Sequence, residues 1–272
     1  MWILMKSSVL FTCILMLTSI ESSADPIHSG RAQVEWVAKT AGYNPGEPVV
    51  TALKMTLDDG WHTYWINPGE AGMPLSMNLT LPDGWSADPV EYPLPVRFMT
   101  GDLHDFGYEG TVLFPITLHP PADASGDVEI KGSFDWLTCD DSACVPGDAT
   151  LTLALASGND TPTDAAEEIA ESLKKIPTAA PENWTMSVSE SDDSLLLKID
   201  IHPSLYPPEL DFFPLTINVV HPGADYDWKP AKGPWVTRVP KSSFAPDQLE
   251  QFELVIHSPS LPSPVILTWK AD

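Results

Sequence analysis

Alternating apolar and polar positions run through most of this chain. From Val49 the run V-V-T-A-L-K-M-T-L places Val49, Thr51, Leu53, Met55 and Leu57 on one face, the period-two pattern of a half-buried strand. Asp58-Asp59-Gly60 then turns the chain into Trp61-His62-Thr63-Tyr64-Trp65, and the two segments are expected to pair as a hairpin. Alternation recurs at Met77 to Leu81, Val112 to Leu118, Val128 to Phe134 and Thr150 to Leu155, with Pro, Gly and Asp turns between. Six or seven short strands of this kind predict a β-sandwich.

One segment changes period. Thr161 is expected as an N-cap, with Pro162 at the first helical position, acids Glu167 and Glu168 early, and Lys174 and Lys175 late, in agreement with capping and dipole preferences. Ile169, Leu173 and Ile176 give this helix one apolar stripe before Pro177 and Pro181 stop it. Strand patterns resume at Trp184 to Ser189, Leu195 to Ile201, Leu215 to Val220, Phe252 to His257 and Val265 to Lys270. The predicted class is all-β: a β-sandwich over residues 25–157, a helical linker over 158–181, and a second, smaller β-sandwich-like domain over 182–272. Each half is long enough to hold its own core.

The N-terminus stands apart. Lys6, the apolar run Val9 to Leu17 and the small-residue exit Ser22-Ser23-Ala24 predict a secretory signal peptide over residues 1–24. Cys13 lies inside its apolar run, and Leu10-Phe11-Thr12-Cys13 is a poor lipid-attachment site because Thr precedes the sulfur. No later stretch offers the ~20 uninterrupted apolar residues of a membrane helix. The mature chain is therefore expected to be extracytoplasmic, periplasmic or otherwise secreted, without a transmembrane segment, where disulfides persist. Its formal net charge of −24 argues against nucleic acid and anionic lipid as partners.

Chemistry concentrates in WLTCDDSACVPGD. Beyond the leader, Cys139 and Cys144 are the only thiols, placed on a strand-to-strand connection with four residues between them. A bond closing so short a loop removes less unfolded-state entropy than one joining distant strands, which favours a reactive bond over a staple. An inert brace remains the ordinary alternative for a secreted domain. Asp140 and Asp141 should raise the thiol pKa, so a reactive pair would need a partner to start exchange.

The succession DGWHTYWINPGEAGMP, LPDGW, GDLHDFGYEGTVLFPITL and FDWLTCDDSACVPGDATLTL resembles the periplasmic N-terminal region of the bacterial thiol:disulfide interchange protein DsbD, especially its longer ScsB-like relatives. The likeness spans about residues 28–156 and continues more faintly through the helix and Asp211-Phe212-Phe213-Pro214. It implies that the sandwich over residues 25–157 is immunoglobulin-like and carries a redox pair in which Cys144 forms mixed disulfides and Cys139 resolves them. It also implies an aromatic cap over the pair, in the stretch His104-Asp105-Phe106-Gly107-Tyr108, with Phe106 the first choice and Tyr108 the second. His62 and Tyr64 match aromatic positions flanking the pair.

That family relays reducing equivalents from a membrane electron-transfer protein and a thioredoxin-like domain to oxidised periplasmic proteins, and these are the implied donor and acceptors. The chain ends at Asp272, so both are expected on separate proteins, and no metal or organic cofactor is required. Two other functions stay open. One is a non-catalytic protein-binding sandwich with a structural disulfide. The other is a periplasmic copper-tolerance or copper-binding protein using Cys139, Cys144, His62, His104 and methionines, since thiolate and thioether suit Cu(I).

Overall fold

The computed structural model describes residues 26–201, 210–226, 229–230 and 234–271; the expected signal peptide lies outside them. The first half contains β1 (Ile27–Ser29), β2 (Ala32–Ala38), β3 (Gly42–Tyr43), β4 (Val49–Leu57), β5 (His62–Gly69) and β6 (Ser76–Thr80). It continues with β7 (Ser86–Ala87), β8 (Val96–Thr100), β9 (Leu103–Glu109), β10 (Thr111–His119), β11 (Val128–Cys139) and β12 (Cys144–Ser157). Two sheets result, one ordered β1-β2-β4-β10-β7 and the other β3-β12-β11-β5-β9-β8, with β6 also paired to β11. This is an immunoglobulin-like sandwich in a nearly all-β chain.

Its core follows the sequence alternation. Val49, Thr51, Leu53, Met55 and Leu57 are all buried, as are Ile130, Phe134 and Trp136 on β11. Trp36 meets Phe134 edge-to-face at 5.6 Å, joining the two sheets. The Trp36 indole N–H donates to Thr51 Oγ1, whose hydroxyl donates to the Ile116 carbonyl, so burial leaves neither polar group unpaired.

The expected hairpin between β4 and β5 does not form. β4 pairs with β2 and β10, whereas β5 pairs with β9 and β11. The Asp58-Asp59-Gly60 turn instead carries the chain from one sheet to the other. Alternation specifies which face of a strand is buried, but not which neighbour it joins.

The helix α1 (Ala166–Leu173) also begins later than its capping signals suggest. Thr161 and Thr163 bond to the first sandwich: the Thr161 carbonyl accepts from Ala41 N and the Thr163 hydroxyl donates to the Ala38 carbonyl. Ile169 is fully buried against Val37, Ala52 and Leu113, and Ser172 Oγ donates to the Leu113 carbonyl at 2.9 Å. The helix is therefore docked on the outer face of the β4–β10 sheet.

The second half contains β13 (Thr178–Ala179), β14 (Thr185–Glu190), β15 (Ser194–Asp200), β16 (Asp211–Pro214), β17 (Lys229–Pro230), β18 (Trp235–Pro240), β19 (Gln251–His257) and β20 (Val265–Lys270). They form the sheets β13-β20-β19-β16 and β14-β15-β18-β17 around Leu195, Leu197, Ile199, Phe252, Leu254 and Ile256. No strand forms over Leu215 to Val220; the run breaks after Pro214 into a turn in which Asn218 takes φ +63°. The two halves share apolar packing, since Phe213 and Val255 belong to the first sandwich's core cluster.

Candidate active site

Four neighbouring strands bring one row of side chains to the end of the second sheet. Across β9, β5, β11 and β12 the register aligns Glu109 with His62, His62 with Cys139, and Cys139 with Cys144. Residues directly opposite on antiparallel strands share a face, so His62 and both cysteines stand side by side. Cys139 and Cys144 are disulfide-bonded with Cα atoms 4.1 Å apart. The two residues differ in access: Cys139 is fully buried, Cys144 exposed.

The hairpin carrying them does not depend on the bond. β11 and β12 are in register at twelve positions, from Val128↔Leu155 to Cys139↔Cys144, and the turn has its own anchor. Asp140 Oδ1 accepts from Ser142 N, Ser142 Oγ and Ala143 N, each at 2.8 Å. These hydrogen bonds hold the Asp140 carboxyl below the usual carboxylate range. Gly147 is needed beside this turn because a Cβ there would meet the Trp136 indole at 2.4 Å.

A buried polar chain lies on the same face. Asp105 is 1% exposed, with one carboxylate oxygen accepting from Ala71 N at 2.8 Å and the other from Thr100 Oγ1 at 2.7 Å. Both oxygens thus have donors, as a buried carboxylate requires. Having spent its proton on Asp105, Thr100 can only accept from His62 Nε2 at 3.1 Å; Nε2 is therefore the protonated nitrogen of the neutral ring. Burial lowers the His62 pKa, opposed by the carboxylates of Asp105, Glu109, Asp141 and Asp140. Burial likewise pushes Tyr64 up to about 12.

Phe98, on β8, covers this chain. Its ring centroid is 4.0 Å from that of His62 and 5.9 Å from that of Tyr64. β8 is an edge strand, paired among the described strands with β9 alone, and the hairpin exposes Val96, Met99 and Leu103.

Residues 32–156 match the family model described as "Thiol:disulfide interchange protein DsbD, N-terminal". The first sandwich is a DsbD N-terminal domain. The whole fold resembles the crystal structure of the N-terminal periplasmic domain of ScsB from Proteus mirabilis, with a TM-score of 0.67 and 20% identity over 93% of this chain and 100% of that one. That likeness reaches across both halves of the chain. No curated protein matches the chain.

Within this DsbD N-terminal domain, Cys139, Cys144, His62, Tyr64 and Asp105 come together, and the two residues expected as the cap do not join them. Phe106 is 1% exposed and points to the opposite face of its sheet, packed edge-to-face on Trp65 and Phe213. Tyr108 packs on Phe114 with its hydroxyl donating to the Pro93 carbonyl. Parity explains this: Asp105 is on the site face, so Phe106 must leave it. The aromatic beside the site is Phe98, one strand earlier, where register sets it opposite Asp105. Gly101-Asp102, between two alternating segments, was the turn signal that could have located it. Gly107 keeps the strands close, since a Cβ there would meet the Thr63 carbonyl at 1.9 Å.

Among the described residues no group of three or more His, Cys, Asp or Glu side chains is placed to hold a metal ion. His104 does not join the cysteines; its ring packs against Gly223 and His221 of the second domain.

Proposed function

We propose that this chain relays reducing equivalents through Cys139 and Cys144, outside the cytoplasm, from a membrane-linked thioredoxin-like donor to oxidised periplasmic proteins. The family of the first domain is one of thiol:disulfide interchange. The observation that carries the finer reading is the unequal exposure of the two cysteines on a hairpin paired along its whole length.

In the reduced protein the Cys144 thiolate attacks one sulfur of an acceptor disulfide, forming a mixed disulfide and releasing the acceptor's other sulfur as thiolate. The Cys139 thiolate then attacks Cys144 Sγ, closing the intramolecular bond and releasing the second acceptor thiol. Two electrons and two protons pass to the acceptor. The donor returns them by the reverse sequence, again entering at the accessible Cys144.

Phe98 covers His62, and His62 stands beside the buried Cys139, so water reaches the Cys139 side of the bond poorly. A reductant attacking Cys144 expels Cys139 as a thiolate, and a buried, desolvated thiolate is a poor leaving group. Asp140 and Asp141 add negative charge beside the pair. Bystander exchange is slowed until a docked partner lifts the aromatic ring, a lid in the sense of a gated site. Exposed Met99 and Leu103 at the hairpin tip offer apolar surface to such a partner.

Trapping tests the assignment. In Cys139→Ser, Cys144 should accumulate a mixed disulfide with a thioredoxin-like donor. In Cys144→Ser none should form; equal trapping by the two variants would remove the assigned roles.

A further inference from the structure

The second β-domain grips the strand that carries Phe98. Arg97, the next residue on β8, projects from the opposite face and crosses to β16. Its Nη1 donates to Asp211 Oδ1 at 2.5 Å and its Nη2 to the Phe212 carbonyl. The guanidinium lies over the Phe213 ring at 4.3 Å from the centroid and is 5.9 Å from that of Phe106. A second contact holds the β8–β9 hairpin near its turn, where the His104 ring packs against the Gly223 backbone and His221 lies 3.6 Å from Glu70, whose other oxygen accepts from His104 N.

We infer that the second β-domain is a clamp on the cap, with Arg97 and Asp211 as positioning residues that hold Phe98 over the His62 and Cys139 side of the redox pair. The inference rests on the exchange reading above and gives the second domain a part in it. An edge strand has one hydrogen-bonded neighbour, so β8 could peel from β9 at little cost. Lifting Phe98 from His62 requires β8 to twist or peel, and either motion pulls Arg97 away from Asp211 and Phe213. The contacts to the second domain therefore favour the capped state alone, and a ligand or contact that favours one state shifts the balance between the two. A partner that moves β16 relative to β8 would open the cap without touching Phe98.

The test is the second-order rate at which dithiothreitol reduces Cys139–Cys144 in the full mature chain. Phe98→Ala reports the uncapped rate. Asp211→Ala is the primary variant because Asp211 is half exposed, so its loss removes the carboxylate and spares the packing. Its reduction should be about threefold faster than wild type, a size typical of an exposed charged contact, with melting temperature unchanged. Asp211→Glu should stay near wild type, and Phe98→Ala/Asp211→Ala should be no faster than Phe98→Ala. A wild-type rate in Asp211→Ala, beside a faster Phe98→Ala, overturns the clamp and leaves the cap standing. Further acceleration in the double variant overturns it too, since the two residues would then act separately. If Phe98→Ala itself is no faster than wild type, the shielding reading fails and takes the clamp with it.

Discussion

Two hairpins meet at the redox end of the first sandwich, and they are built in opposite ways. The cysteine hairpin, β11–β12, lies inside its sheet, pairs at twelve positions and has its turn tied by Asp140. The cap hairpin, β8–β9, ends at the sheet edge, pairs at five positions and exposes Val96, Met99 and Leu103. Rigidity sits under the reacting sulfurs, where geometry must survive each change of oxidation state. Looseness sits in the element that must move. Local opening energies differ widely within one fold, and moving elements come from the weak end of that range.

The contrast can be broken first at the sulfurs. Cys144→Ser should lower exchange with a thioredoxin-like donor by at least about a hundredfold, since among the described residues the remaining thiol, Cys139, is buried and poorly placed to begin attack; the rate of donor oxidation measures it. Next comes the face assignment at the cap hairpin. Phe106→Ala should cost about 3–5 kcal/mol of stability, as for other buried aromatic truncations, without exposing the disulfide to reductant. Chemical denaturation beside thiol trapping separates those effects.

A smaller effect is expected from the bond itself. Reduction should lower stability by about 2 kcal/mol, the entropy of a six-residue loop, and the melting temperature by less than about 8 °C, because the hairpin stays hydrogen-bonded. Phe98→Ala should speed reduction about tenfold, equivalent to roughly 1.4 kcal/mol, with little change in fold.

The smallest effect concerns His62. Its folded pKa is depressed by burial, so the unfolded chain binds its proton more readily. The stability it contributes is complete above the ordinary pKa of 6.5 and is lost as pH falls from there through the lower folded value. His62→Gln should flatten this part of the melting-temperature profile between about pH 5 and 7, while wild type falls with acidification.

Much of this was legible in the chain because period-two alternation reports burial face directly. Val49 to Leu57 and Ile130 to Trp136 bury the residues their patterns mark. The redox pair was legible because its two cysteines are the only thiols beyond Cys13. Pairing partners were not, since alternation is silent about neighbours, and so the Asp58-Asp59-Gly60 turn read as a hairpin where it is a crossing between sheets. The helix start was misplaced because Thr161 and Thr163 spend their polar groups on the edge of the first sandwich. The aromatic on the site face is Phe98 rather than Phe106 because aromatic character alone does not fix a face, whereas register does. Arg97 gave no signal, as its partners Asp211 to Phe213 lie more than a hundred residues away.

The measurement that tests the relay most directly is the equilibrium reduction potential of Cys139–Cys144 in the mature chain, by thiol trapping across glutathione and dithiothreitol buffers with circular dichroism recorded in parallel. The account predicts a potential of about −180 to −270 mV, the range of exchange proteins, with the spectrum unchanged on reduction. A potential well below about −300 mV, with loss of structure on reduction, is the behaviour of a structural brace and would contradict it.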